Sequence, residues 1–178
     1  MASVASFFVS RIDTAIDAEL ERKMAAAAGA AGLAALRGRA AIANAKLAYR
    51  IYRDIVAGAR WGALAAKGAQ PQRLLWASTS AKNPNYRDVI YVEELVGRDT
   101  VNTLPPATLE AFRDHGRVRE SLVEDAEAAA QVLAELERHG ISVAAVTDRL
   151  LVEGVKLFAD SFDKLLAAVA GKAGSGRP

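Results

Sequence analysis

The feature that most constrains this chain is a central run, Leu74-Leu75-Trp76-Ala77-Ser78-Thr79-Ser80-Ala81-Lys82-Asn83-Pro84, in which an apolar, β-rich stretch passes directly into hydroxyl residues, a lysine and a turn. It reads as a buried strand that delivers polar groups at its carboxyl end. A helical pattern containing Arg60 and Trp61 precedes it and Asp88-Val89-Ile90-Tyr91-Val92-Glu93-Glu94-Leu95 follows, so the order is helix, strand, loop, helix. That order is the building rule of parallel α/β proteins, whose sites form on loops at the carboxyl ends of strands. The first residues repeat the design, since Val4-Ala5-Ser6-Phe7-Phe8-Val9-Ser10-Arg11 is short, β-rich and ends in a cation just ahead of a helix. Two strand ends, each offering hydroxyls and one cation, suggest an oxyanion or phosphate ligand between them.

Along the chain, residues 2 to 9 form the first expected strand, apolar on both faces and therefore an interior strand of a parallel sheet. Asp13 or Thr14 is placed to cap the next helix, which carries Ile16, Leu20 and Met24 at helical spacing. Another helix runs from about Gly38 to Gly58, with Lys46, Arg50 and Arg53 on its wet face, followed by a short helical piece closed by Gly68. The central strand covers about residues 72 to 78. A helix is expected at about residues 86 to 96, then a weaker strand, Thr100-Val101-Asn102-Thr103-Leu104. Pro106 is suited to open the helix that closes at Gly116, because a proline's missing N–H has no helical partner at that position. Ser121-Leu122-Val123-Glu124 has the form of a capping box, and Ser142 stands ahead of a last helix with a broad apolar stripe. Residues 1 to 170 read as one unit and residues 171 to 178 as a flexible tail.

Composition excludes more than it assigns. Lys and Arg number 23 against 21 Asp and Glu, and the scattered basic residues lack the striping of a nucleic-acid surface. Cysteine is absent, which excludes disulfide scaffolds, thiolate metal sites and cysteine nucleophiles and fits a reducing, cytoplasmic compartment. No apolar run reaches the roughly 20 residues needed to span a bilayer. Metal-ligand spacing and a glycine-rich phosphate loop are likewise missing from the sequence, and no cofactor is implied.

Three parallel-type strands are followed by far more helix than they require, and a complete βα barrel needs eight strands. The chain reads as the second half of something. Four blocks, in order, resemble transaldolase, closest to its longer bacterial type: residues 2 to 14, the run from Leu74 to Pro84, Thr100 to Leu109, and Leu151 to Leu166. The resemblance implies an α/β fold that is part of a (β/α)8 TIM barrel, here about the last three strands plus the C-terminal helices. It implies Schiff-base transfer of a dihydroxyacetone unit between sugar phosphates of the pentose phosphate pathway: sedoheptulose 7-phosphate and fructose 6-phosphate as donors, glyceraldehyde 3-phosphate and erythrose 4-phosphate as acceptors. The family pattern Ser-x-Phe-Val-x-Arg falls on Ser6, Phe8, Val9 and Arg11. By resemblance, Ser6 and Phe8 line the pocket and Arg11 holds the substrate phosphate, with Ser78 and Lys82 near the same phosphate. The family's Schiff-base lysine and proton-relaying acids lie on strands expected to be absent here, so no catalytic residue is expected among those present.

The residues alone leave alternatives open. Lys82 stands at a strand end where an imine could form, but its polar Asn83-Pro84 surroundings suit a charged phosphate ligand or a plain surface lysine better than a nucleophile of lowered pKa. Arg11 has a planar fork suited to phosphate and lies where a strand meets a helix N-terminus, although a solvated helix start would also hold an arginine. Ser6 and Ser78 are pocket hydroxyls or small filling residues, and Phe8 could be simple core. The competing readings are a transaldolase half and a non-catalytic half-barrel. The latter would bind sugar phosphate, or pair its strand edges with a copy of itself or with an N-terminal half. A shortened copy of an ordinary enzyme is a third.

Overall fold

The computed structural model describes residues 2–26 and 31–175. The chain divides into two compact units, Met1–Val143 and Ala144–Pro178. In the first unit, β1 (Ser3–Phe8) leads into α1 (Ser10–Ala26). The single turn α2 (Ala31–Ala34) precedes α3 (Ala40–Ala57) and α4 (Ala59–Ala65). Next come β2 (Gln72–Ala77), the single turn α5 (Ile90–Glu93), β3 (Thr100–Asn102), α6 (Pro106–His115), a 3-10 turn (Ser121–Val123) and α7 (Ala126–Arg138). The strands form one parallel sheet in the order β1-β2-β3, as successive strands joined by helical crossovers should. The α/β expectation therefore stands, with a small parallel sheet and many helices.

The register pairs Ser6 with Leu75, Phe7 with Trp76 and Phe8 with Ala77 across β1 and β2, and Trp76 with Asn102 across β2 and β3. Alternate residues of each strand face opposite sides. On one side Trp76 is completely buried and meets the Phe7 ring edge-on, with centroids 5.6 Å apart and planes at 86°. The other side is open along β1, where Val4 and Phe8 are each 38% exposed and Ser6 is exposed. The expectation of an interior first strand is corrected: among the described residues β1 pairs only with β2 and is an edge strand. Apolar side chains on both its faces made it resemble an interior strand, but strand neighbours are decided by distant segments.

Helix α1 buries Ile12, Ile16 and Leu20, and the same stripe carries Asp13 and Asp17, both buried. The helix begins at Ser10, so Asp13 lies inside it and cannot be its cap. Its Oδ1 instead accepts the Ala41 N–H at 2.8 Å, in the first turn of α3. Thr14 donates its hydroxyl to the Ser10 carbonyl, one turn back. Helix α3 packs on α1 and α7, and Lys46, expected on its wet face, is 7% exposed. Its Nζ lies 3.6 Å from Glu94 Oε2 and donates to the Glu124 carbonyl at 3.3 Å. An ion pair and a carbonyl supply the partners that a buried ammonium requires.

Two further readings change. Ser121 is no capping box: its hydroxyl donates to the Glu93 carbonyl and accepts the Val96 N–H, and α7 starts after Asp125. The helix expected at residues 86 to 96 is reduced to α5. Arg87 pairs bidentately with Glu93 (2.8 and 3.0 Å) and donates to the His115 carbonyl at 2.7 Å, which holds the preceding segment as a loop. Pro106 does open α6, and Gly116 closes it.

The second unit is built by α8 (Val143–Ser175). Its stripe Leu151, Val155, Phe158, Phe162, Leu165 and Val169 is exposed throughout. The helix continues through Gly171 to Ser175, into the segment expected as a tail, and residues 176–178 lie outside the described residues. Among the described residues no helix is long and apolar enough to cross a membrane.

Candidate functional site

The polar residues collect at the carboxyl edge of the sheet. At the end of β1 the Val9 N–H donates to the Ala77 carbonyl at 2.9 Å and the Ser10 N–H to the Ser78 carbonyl at 3.1 Å. Ser10 Oγ and Ser78 Oγ lie 2.9 Å apart, either hydroxyl able to donate. The two strand ends are thus tied by backbone and side chain together. Ser78 holds a φ of 57°, in the left-handed region that a residue with a Cβ seldom adopts. The turn directs the chain from β2 into a loop in which Thr79 is fully buried, donating to Asn102 Oδ1 at 2.9 Å and to the Thr103 carbonyl at 3.2 Å. Thr103 donates its N–H back to the Trp76 carbonyl at 3.0 Å, so all three strands end in one bonded row.

Helix α1 starts at this row, and its N-terminus carries the partial positive charge of unpaired N–H groups. Arg11, in its first turn, is exposed and its guanidinium lies 5.0 Å from the centroid of the Phe8 ring. The ring face attracts the cation and limits its swing. Phe8 and Ser6 both belong to the open side of the sheet. Lys82 is exposed on the loop after β2, its Nζ donating to Ser80 Oγ at 2.6 Å. Of the five residues singled out in the sequence, Ser6, Phe8 and Arg11 therefore share the end of β1, while Ser78 and Lys82 share the end of β2. The contact that joins the two groups runs through Ser78 to Ser10. Lys82 also borders a cavity of about 170 Å³ with Asp13, Asp17 and Tyr86, which Arg11 does not line.

Sequence reasoning missed the aspartates and tyrosines behind this edge. Tyr91 donates to Asp13 Oδ2 at 2.8 Å, and Tyr86 donates to Asp17 Oδ2 at 2.5 Å. Burial, only partly offset by the Ala41 N–H and the Tyr91 hydroxyl, pushes the Asp13 carboxyl up to about 6. Burial and the neighbouring carboxylates raise both tyrosines, keeping them as neutral donors. A signal was present: Asp13, Ile16, Asp17 and Leu20 follow the spacing of one helix face, so two acids stood on a core stripe. Among the described residues no group of three acidic or histidine side chains could hold a metal ion.

The sequence profile of the family described as "Transaldolase/Fructose-6-phosphate aldolase" matches residues 1–169. This chain belongs to that family. Among curated relatives, it is 48% identical over 178 residues to "Transaldolase 2" of Nostoc sp., an alignment covering 97% of this chain and 47% of the relative. It is 51% identical over 176 residues to "Transaldolase" of Parafrankia sp., covering 98% of this chain and 46% of the relative. The "Transaldolase" of Thiobacillus denitrificans is 50% identical over 167 residues, covering 94% and 45% respectively. The chain spans about half the length of these relatives. The serine-rich strand ends and the Arg11–Phe8 pair are thus features of a member of the transaldolase family.

Proposed function

We propose that the chain forms the phosphate-binding side of a transaldolase site, one that transfers a dihydroxyacetone unit between sugar phosphates through a lysine Schiff base. The observation that carries this reading is the 2.9 Å contact between Ser10 Oγ and Ser78 Oγ, which joins two strand ends bearing one cation each. A phosphate seated at this edge would meet the half-buried Ser78 hydroxyl, held from behind by the buried Ser10, together with the N-terminus of α1 and the exposed side chains of Arg11 and Lys82, all groups suited to a dianion. Ser6 and Phe8, on the open side of β1, would line the sugar part of the pocket. Arg11 resting on Phe8 would couple the two halves of the site. Lys82 would act as a charge rather than as the imine-forming amine. The proposal assigns the Schiff-base lysine and its acidic relay to polypeptide outside these residues, and it carries over a cytoplasmic setting from the resemblance.

Titrating the chain with fructose 6-phosphate and with inorganic phosphate tests this. Arg11→Met and Lys82→Met should each weaken phosphate binding by about tenfold, as expected for the loss of a charge-assisted contact. Borohydride trapping with fructose 6-phosphate should leave the chain unmodified. A covalent adduct on it would move the nucleophile into these residues.

A second reading is favoured by the open side and edge of β1: a non-catalytic half-barrel that covers these surfaces with another chain. Light scattering separates the two, because this reading expects a defined complex with a second copy or with an N-terminal half, while a stable monomer contradicts it.

A further inference from the structure

The loop that carries Lys82 is held from behind by α1. Tyr86 donates to Asp17 Oδ2 at 2.5 Å, and the other oxygen of Asp17 accepts the Gly38 N–H at 3.0 Å. Tyr91 and the Ala41 N–H divide the two oxygens of Asp13 in the same way, at 2.8 Å each. Both aspartates therefore serve the start of α3 with one oxygen and the segment after β2 with the other, Asp17 through the loop and Asp13 through α5. The Tyr86 ring also packs closely against Gly38, where an added Cβ would lie 2.8 Å from it. Between Lys82 and Tyr86 the chain makes a tight turn, with the Asn85 N–H donating to Asn83 Oδ1 at 3.0 Å and the Tyr86 N–H to the Asn83 carbonyl at 3.1 Å. The position of Lys82 is thus one turn away from a tyrosine fixed on two sides.

Anchoring α3 alone would need one acceptor per aspartate. Burying two carboxylates costs more than burying apolar side chains of the same size unless every lone pair is used. Here the remaining oxygens are taken by two hydroxyls from the segment after β2: Tyr91 from α5, and Tyr86 from the loop that bears the cation.

We propose that Asp17 and Tyr86 are positioning residues for Lys82, so that anion binding at the sheet edge depends on a pair that does not touch the anion. The proposal rests on the phosphate reading of Lys82. It gives the second residue of the pair, Tyr86, a role that the site itself does not reveal.

The test is a double-mutant cycle on the full chain with inorganic phosphate as the probe, using Tyr86→Phe, Lys82→Met and the combination. Tyr86→Phe keeps the ring against Gly38 and removes only the hydroxyl. It should weaken phosphate binding about fivefold with Lys82 present and less than about twofold in the Lys82→Met background, the signature of coupled residues. Equal losses in both backgrounds would overturn the proposal. A second arm measures backbone hydrogen exchange over residues 80–86. Both Tyr86→Phe and Asp17→Asn should speed exchange there by about tenfold while leaving the amides of α7 unchanged. Uniform loss of protection would mean a merely structural pair and would also overturn it. If the wild-type chain shows no saturable phosphate binding, the phosphate reading falls and the anion part of this inference with it, while the exchange arm still decides whether the pair fixes the loop.

Discussion

Tyr91 donates its hydroxyl to Asp13 Oδ2 at 2.8 Å although the two residues stand 78 positions apart, and both are about 1% exposed. The pair joins α1 to the segment that follows β2, behind the edge where the candidate site lies. Asp13 also takes the Ala41 N–H, so one carboxyl organises three segments of the first unit.

This carboxyl makes stability depend on pH in a direction opposite to that of most surface acids. Its pKa is about 6 in the fold against 3.8 as the ordinary reference, so the folded state holds the proton more tightly than the unfolded chain. The contribution is full below about pH 3.8 and is lost as pH rises through about 6. Its size is about 3 kcal/mol, since each tenfold gain in proton affinity on folding is worth roughly 1.4 kcal/mol. Urea unfolding of the wild type and of Asp13→Asn across this range should show the difference between them falling by that amount. A constant difference would refute the assignment.

Gly38 has a φ of 68° and a tyrosine ring where its Cβ would be. Gly38→Ala should cost about 2–4 kcal/mol, combining left-handed backbone strain with overpacking against Tyr86. Thermal or urea unfolding reads the loss. The hydroxyl of Tyr86 should also become accessible, shifting its ultraviolet absorption titration to lower pH.

Ser78 should discriminate among substitutions by backbone conformation more than by polarity. Ser78→Ala removes the contact to Ser10 and should cost about 1 kcal/mol. Ser78→Val at a φ of 57° should cost about 1–3 kcal/mol more, because a β-branched residue is strained in the left-handed region. Equal stabilities for the two variants would show that the turn relaxes freely.

Trp76 is fully buried at the centre of the sheet and packs edge-on against Phe7. Trp76→Ala should destabilise by about 3–5 kcal/mol through the cavity it leaves. Trp76→Leu should lose less, since it retains apolar volume, and chemical denaturation of the two variants orders them.

The strands were legible where short apolar runs ended in hydroxyls, and α6 was legible because Pro106 and Gly116 act through local backbone geometry. Lys46, Asp13 and Ser121 were misread for a common reason. Each is polar at a position where local pattern assigns solvent or a cap, yet each finds its partner far along the chain: Glu94 and Glu124, Tyr91 and Ala41, and Glu93 respectively. A periodicity argument cannot register a partner supplied by another element. The candidate site divides along the same line. The cations and serines were visible as strand-end residues, whereas the bond between Ser10 and Ser78 depends on parallel pairing of β1 with β2.

The order of residues by itself determined the alternation of strands and helices, the polar character of the strand ends and the membership of the transaldolase family. Each of these follows from spacing or similarity along the chain. Only the tertiary structure decided that β1 pairs with β2 alone among the described residues, that Asp13 and Asp17 face two tyrosines, and that the loop bearing Lys82 is anchored on α1. Those outcomes depend on which distant groups satisfy a buried carboxylate or an open strand edge, and desolvation makes such partners obligatory without naming them in advance.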